Sequence, residues 1–500
     1  MRRAQNRLEY VWLALCVIAQ AVLLTHKLAL LPMWNDELFT VQAVTRPVRA
    51  MLQMVRGDVH PPLYFLLAHA WEKLSWGETP LLRARLLSVI FTLLATVAID
   101  RLWLRDAPRR MRWWFLALWI TSSCLLLYAR MARSYSLQVL LFVVVCWAAL
   151  QWSEEIASTR RMLIWAVALA ALLYTHYVPG IAAWAGCAVL LFRQGRARRL
   201  LMGNALVVLA YLPWLATLVS VASLWQARPS LLLLTRSRLL ETGIKLGYWG
   251  FSFLFGEAIP VWMLPVAALL AIPALWLLWE GVQAARTWIL PVAVAAAIGF
   301  AGVAGWVTYA FGPARLLFLL PLLFLAMASA ANSAPRAGMV AAALLAANVV
   351  GIGSYFQARD VLNIGYLAPM DRIAGDIAAR SSTADTMVLV DGPNLSGGVL
   401  EYYLPGFTTR QIFTVEDAEA ARREVSNPAI RHVWFLRNPH DVTPDHVLER
   451  LENDLRGPQG QGMLYSYGSF SPAHLALMRM AGVSVASAVM YPLWEFRKPD

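Results

Sequence analysis

Two adjacent carboxylates, Asp36 and Glu37, stand in the stretch Met33-Trp34-Asn35-Asp36-Glu37-Leu38-Phe39-Thr40. A second polar group follows in Asp58-Val59-His60-Pro61-Pro62-Leu63-Tyr64-Phe65. A carboxylate near a desolvated, arginine-rich site can accept a hydroxyl proton, so Asp36 is a candidate general base. The same pair of acids also suits the cap and first turn of a helix starting near Leu38. His60 precedes a rigid Pro61-Pro62 that presets a helix entry. Arg130 and Arg133 flank a tight turn in Tyr128-Ala129-Arg130-Met131-Ala132-Arg133-Ser134-Tyr135. A guanidinium binds phosphate through two parallel hydrogen bonds, and it can equally snorkel to lipid phosphates. His176, in Tyr174-Thr175-His176-Tyr177, is a base, a metal ligand or a hydrogen-bonded interfacial histidine. A divalent metal would need Asp36, Glu37 or His60 as further ligands, and no spacing fixes such a set. No cofactor and no bound catalytic metal are expected.

These residues must be held by a membrane protein. Of 500 residues, 59% are hydrophobic and 15% charged, and mean hydropathy is +0.55. A soluble chain carries roughly a quarter charged residues. The net charge of +13 does not point to nucleic acid, because the arginines sit in short clusters between apolar runs, where orientation signals lie. The 22 tryptophans suit rings at the headgroup level. Cys16, Cys124, Cys146 and Cys187 each lie in an apolar run and read as small buried hydrophobes. Arg2, Arg3 and Arg7 precede the first apolar run with no small-residue cleavage pattern, so the first helix is expected to be retained.

A spanning helix needs about 20 apolar residues. Runs at 10–31, 83–104, 113–129, 136–152, 162–176, 178–192, 200–220, 259–279, 288–310, 314–331 and 337–355 predict about eleven spans. With the N-terminus in the cytoplasm, the inner connections hold the clusters at 101–112 and 193–199, with Arg160, Arg161, Arg286 and Arg336. The short outer connections hold only Arg130, Arg133 and Arg315, the expected bias. Long outer loops are predicted at 32–82 and 221–258. In the first, Val48, Met51, Leu52 and Val55 share a face at helical spacing, which predicts a short interfacial helix. Leu63–Leu74 is short for a span, and crossing there would place the five arginines at 101–112 outside.

From about Gln357 acids and turns appear. Helices are predicted over Asp371–Arg380 and Pro444–Leu455, and strands over Met387–Val390, His432–Leu436 and Val489–Phe496. The fold expected is an α-helical polytopic membrane protein, with a transmembrane domain over 1–356 and an extracytoplasmic α/β domain over 357–500. All the polar groups of note then fall on the outer face: Asp36, Glu37, His60, Arg83, Arg85, the stretch Arg130–Tyr135 with Arg130, Arg133 and Tyr135, the stretch Tyr174–Tyr177 with His176, and Arg315.

The order of motifs resembles the GT-C glycosyltransferases. It runs from an apolar span to Trp34-Asn35-Asp36-Glu37, an interfacial helix, the Asp58–Phe65 stretch, and Gly77 through Leu82-Arg83-Ala84-Arg85-Leu86-Leu87-Ser88. It is most similar to the bacterial protein mannosyltransferase-like family that includes aminoarabinose and galacturonic acid transferases. Residues 8–200 carry the likeness, and Tyr128–Leu137 looks like that family's second outer loop. The resemblance implies transfer of one sugar from a polyprenyl-phosphate donor to a lipid, polysaccharide or protein acceptor at the outer membrane face. It implies Asp36 as the acidic residue acting on the acceptor hydroxyl. Arg130 and Arg133 would neutralise the leaving phosphate, and Glu37, His60, Tyr135, His176 and Arg315 would shape the site. Aminoarabinose transferases carry an acidic residue in the second loop, where this chain has Arg133-Ser134-Tyr135.

The rival from another class is a flippase or transporter with an outer binding domain. No repeat appears, and the charges gather at one face rather than mid-span. A ligase of lipid-linked glycans shares the same physics, and the early Asp-Glu pair does not favour it.

Overall fold

The computed structural model describes residues 2–58, 60–74, 77–192, 195, 197–227, 238–284, 312–391, 397–437, 461–466, 470–480 and 490–497. The chain divides into two compact units. The first comprises Met1–Leu28, Thr40–Glu257 and Met263–Gly353; the second comprises Ala29–Phe39, Ala258–Trp262 and Ser354–Asp500.

The first unit is helical, as it must be where lipid offers the backbone no hydrogen-bond partner. Among the described residues the helices are, in order, α1 (Arg2–Thr25), α2 (Asn35–Val44, begun in the second unit), α3 (Val48–Arg56), α4 (Leu63–Glu72), α5 (Pro80–Ala98), α6 (Arg109–Ile120), α7 (Ser123–Ala129), α8 (Tyr135–Glu154), α9 (Thr159–Leu173), α10 (Tyr177–Phe192), α11 (Ala197–Ala227), α12 (Arg238–Phe255), α13 (Leu264–Ala284), α14 (Pro313–Leu316), α15 (Leu320–Ser333) and α16 (Pro335–Phe356). Among the described residues, six helices are long and apolar enough to cross a membrane, and a seventh crossing results if α6 and α7, bent by 56°, count as one. The bend falls where Ser122 caps α7, its hydroxyl accepting from Leu125 N at 3.1 Å. The run expected at 288–310 lies outside the described residues, and that at 162–176 folds as the fifteen-residue α9.

The loop elements follow their sequences. Helix α3 buries Met51 and Val55 and exposes Val48. Helix α4 has ten residues, about 15 Å of rise, half of what a bilayer core requires. Helix α5 starts on a Thr79 cap with Pro80 in its first turn. All four cysteines are free and buried.

One ion pair sits deep at the end of the bundle expected to be cytoplasmic. A π-helical turn, Ile99–Trp103, continues α5 and carries the fully buried Asp100. Arg112 of α6 donates to both Asp100 oxygens, at 2.8 and 2.9 Å, and to Glu9 of α1 at 2.8 Å. Three helices are thereby joined.

The second unit holds a five-stranded sheet, ordered β2-β1-β3-β5-β4. The strands are β1 (Thr386–Asp391), β2 (Thr408–Ile412), β3 (His432–Leu436), β4 (Gln461–Ser466) and β5 (Met490–Arg497). β1 runs parallel to β2 and β3, while β5 is antiparallel to β3 and β4. Among the described residues, helices α17 (Met370–Arg380), α18 (Gly397–Tyr403), α19 (Val415–Val425) and α20 (Pro472–Met480) accompany it. Met387, Leu389, Val433, Phe435 and Phe496 pack on Ala418, Ala421 and Val425 of α19, whose start carries a Thr414/Asp417 capping box. At the end of α17, Ser381 Oγ lies 3.1 Å from His432 Nδ1, and His432 Nε2 lies 2.8 Å from Glu495. The strands expected at 387–390, 432–436 and 489–496 match β1, β3 and β5 to within two residues. Strands β2 and β4 were not anticipated, and the helix expected over Pro444–Leu455 lies outside the described residues.

Removing one partner of a buried ion pair leaves the other charge uncompensated. Asp100→Ala is expected to cost about 3–5 kcal/mol, read as a lowered thermal midpoint of the detergent-solubilised protein. Joint replacement, Asp100→Asn with Arg112→Met, is expected to recover most of that loss. A midpoint unchanged in Asp100→Ala would contradict the role given to the pair.

Candidate active site

The turn between α7 and α8, residues 130–134, is buried throughout. Arg130 and Arg133 are each only 3% exposed, so both guanidiniums must find partners in the protein or a ligand. Arg130 donates through Nη2 to the carbonyl of Lys27. Arg85 of α5 donates to the next carbonyl, Leu28, at 3.1 Å. Lys27 has a left-handed backbone, φ 49°, and these two arginines clamp the exit of α1. Arg83, in the same Leu-Arg-x-Arg motif, pairs with Glu72 at the end of α4.

Arg133 faces a different set. Nη1 lies 3.4 Å from Thr40 Oγ1. Nη2 lies 3.2 and 3.3 Å from the two ring nitrogens of His60, so it sits across the imidazole rather than on one lone pair. Asp58 Oδ2 lies 2.8 Å from His60 Nδ1 and holds the ring. The His176 ring meets that of His60 edge-on, with centroids 5.5 Å apart. His176 Nδ1 accepts from Val178 N at 3.2 Å, which leaves the proton on Nε2. Arg133 and Arg315 both act electrostatically on His176. Gln138 Nε2 donates to Ala314 O at 2.8 Å and ties α14, which bears Arg315, to α8. Ser88 of α5 donates to the Arg133 carbonyl at 3.3 Å. Arg133, His60, His176 and Arg315 are thus brought together, with Asp58 and Thr40 beside them. Two guanidiniums, two imidazoles and a hydroxyl suit an anion with several oxygens, such as a phosphate.

The other expected residues fall elsewhere. Tyr135 stacks edge-on with Tyr128, centroids 5.7 Å apart, and the two rings bracket the turn. Asp36 and Glu37 belong to the second unit, in the first turn of α2, where Glu37 N and Leu38 N donate to Trp34 O at 3.0 Å. Glu37 is fully buried and Asp36 half-buried. Within the same unit Trp34 meets Tyr366 edge-on at 5.0 Å. Leu38 comes so close to Gly398 that a Cβ there would stand 3.3 Å from its Cδ2. Among the described residues, no three His, Cys, Asp or Glu side chains form a group able to hold a metal ion.

One carboxylate was not anticipated. Glu257 follows α12 and is fully buried; the hydroxyls of Tyr128 and Tyr248 donate to its two oxygens, the second at 2.7 Å. Burial pushes its carboxyl up to about 7, against the hydrogen bonds of the two tyrosines. Its signal in the sequence was present: a single acid directly before the apolar run at 259–279.

No protein-family model matches the chain, and no curated protein sequence matches it. Solved structures do. The apo crystal structure of ArnT from Cupriavidus metallidurans aligns over 99% of this chain and 100% of its own, at 11% identity and a TM-score of 0.54. ArnT from the same organism bound to undecaprenyl phosphate aligns over 98% and 99%, at 14% identity and a TM-score of 0.50. The Archaeoglobus fulgidus oligosaccharyltransferase AglB gives a looser match, with a TM-score of 0.44, over 85% of this chain and 69% of its own, at 11% identity. The chain has the GT-C glycosyltransferase fold, shared with ArnT over nearly its whole length.

Proposed function

We propose that the protein is an integral-membrane glycosyltransferase that moves a sugar from a polyprenyl-phosphate donor to an acceptor hydroxyl on the outer face of the cytoplasmic membrane. The observation that carries this reading is the buried Arg133–His60–His176 cluster, with the half-buried Arg315 acting on it, in a chain whose fold neighbour ArnT binds undecaprenyl phosphate. In this reading the N-terminus is cytoplasmic, about eleven helices span the bilayer, and the C-terminal domain is extracytoplasmic.

The reaction is an in-line displacement with inversion. The acceptor oxygen attacks the anomeric carbon as its proton passes to Asp36. The bond from that carbon to the phosphate oxygen breaks, and polyprenyl phosphate leaves with the electron pair. Arg133 and Arg315 balance the charge that builds on the phosphate. His60 is held by Asp58 and keeps the Arg133 guanidinium across its ring. Arg130, committed to the Lys27 carbonyl, supports the turn from behind. Glu37, buried and adjacent to the base, helps to orient it. No metal is invoked.

Asp36→Asn keeps size and hydrogen bonding but takes no proton. Sugar transfer in membrane vesicles from a labelled polyprenyl-phosphate sugar pool is expected to fall by about 10²–10⁴, with donor binding retained. Normal transfer by Asp36→Asn would remove it as the base and leave it a first-turn acid of α2. Arg133→Gln is expected to lower transfer by about 10²–10³ and to weaken binding of undecaprenyl phosphate. Unaltered lipid binding would move the phosphate away from Arg133.

A further inference from the structure

The turn holding Arg130 and Arg133 is gripped from one further direction. Helix α12 ends at Phe255, and Gly256 takes a left-handed conformation, φ 81°. A Cβ on Gly256 would stand 1.9 Å from Ser123 Oγ, so only glycine fits. Ser123 Oγ donates to Phe255 O at 3.0 Å, and Asn348 of α16 donates to Leu254 O at 2.7 Å. Asn348 Oδ1 in turn accepts from Ser123 N at 3.0 Å. This lock delivers Glu257 into a dry position against α7. Its partner Tyr128 stands two residues before Arg130 and packs on Tyr135, which begins α8 directly after the turn.

We infer that Glu257 is a positioning residue for the proposed transfer: through Tyr128 it fixes the buried turn that carries Arg130 and Arg133, and the presence or absence of its proton sets how firmly that turn is held. The inference rests on the functional reading above. The titratable groups that act on Glu257 are Tyr128 and Cys124 of α7 and Tyr248 of α12; the α16 side chain at this lock is the neutral Asn348. Protonated, the carboxyl offers one acceptor to Tyr128 and one donor to the Tyr248 oxygen, in place of accepting from it. Each tyrosine then has a matched partner, and no charge is buried. Ionised, the carboxylate accepts from two neutral hydroxyls and keeps an uncompensated charge in a desolvated place. The proton therefore closes the latch, and its loss loosens the turn.

The linkage has a definite sign. A carboxyl raised from 4.5 to about 7 in the folded protein contributes stability that is complete below 4.5 and lost as pH rises to 7. Glutamine reproduces the protonated acid, with one face donating and one accepting, and does not titrate. The test uses the full chain in lipid nanodiscs, comparing wild type, Glu257→Gln and Tyr248→Phe. Binding of undecaprenyl phosphate and sugar transfer are both followed across pH 5.5–8.5. In wild type both are expected to weaken by about tenfold as pH rises through 7. In Glu257→Gln that alkaline limb is expected to be absent. In Tyr248→Phe, which removes a donor to the ionised form, it is expected to move to higher pH. The lipid phosphate titrates alike in all three proteins, so the difference between variants is what is read. The wild-type thermal midpoint is also expected to fall more than that of Glu257→Gln between pH 5 and 7. An alkaline limb of the same size in Glu257→Gln overturns the inference, as does a wild type with no limb. Lipid binding that follows Glu257 in a protein that transfers no sugar would keep the latch and overturn the transferase reading.

Discussion

Two guanidiniums are buried in a five-residue turn, and much of the first unit is arranged around satisfying them. A buried charge without partners costs more than most folds can supply. The turn at 130–134 is therefore tied to several elements: the exit of α1 through Lys27, helix α5 through Ser88, and Thr40 and His60 on the first outer loop. Helix α8 adds a tie to α14, which bears Arg315, through Gln138. The two arginines are not equivalent. Arg130 donates to a backbone carbonyl, while Arg133 meets an imidazole and a hydroxyl.

Much of this was legible in the sequence, for reasons that differ residue by residue. Arg133, His60, His176 and Arg315 stood out because an ionisable side chain at a membrane boundary is costly and so rarely incidental. That they meet could not be read from spacing, since they come from four separate segments. Asp58 lay inside a recognised stretch without being singled out, as its role depends on the orientation of the His60 ring. Arg83 and Arg85 belong to a recognised motif, yet both are structural clamps, on Glu72 and on the Leu28 carbonyl. Glu257 escaped because its environment is built by Ser123 and Asn348, more than a hundred and about ninety residues away in the chain.

The fold was legible where hydrophobic period and length decide it. Strands β1 and β3, continuous apolar runs, were anticipated. β2, Thr-Thr-Arg-Gln-Ile, is an edge strand with polar side chains and carries no such signal. The bend between α6 and α7 was hidden inside one apolar run, 113–129, because Ser122 reads as a small tolerated residue until its hydroxyl is seen capping α7. The second unit joins the segment bearing Asp36 to the C-terminal domain, a grouping that no composition boundary at 356 could suggest.

The most direct measurement is made on purified protein in vesicles loaded with a labelled polyprenyl-phosphate sugar and a membrane extract as acceptor source. Free polyprenyl phosphate and labelled acceptor are quantified together over time. The expected result is protein-dependent release of polyprenyl phosphate in equal amount to sugar transferred, with the anomeric configuration inverted in the product. Movement of intact donor across the bilayer, with no polyprenyl phosphate released, would contradict the transferase reading and make the protein a carrier of lipid-linked sugar.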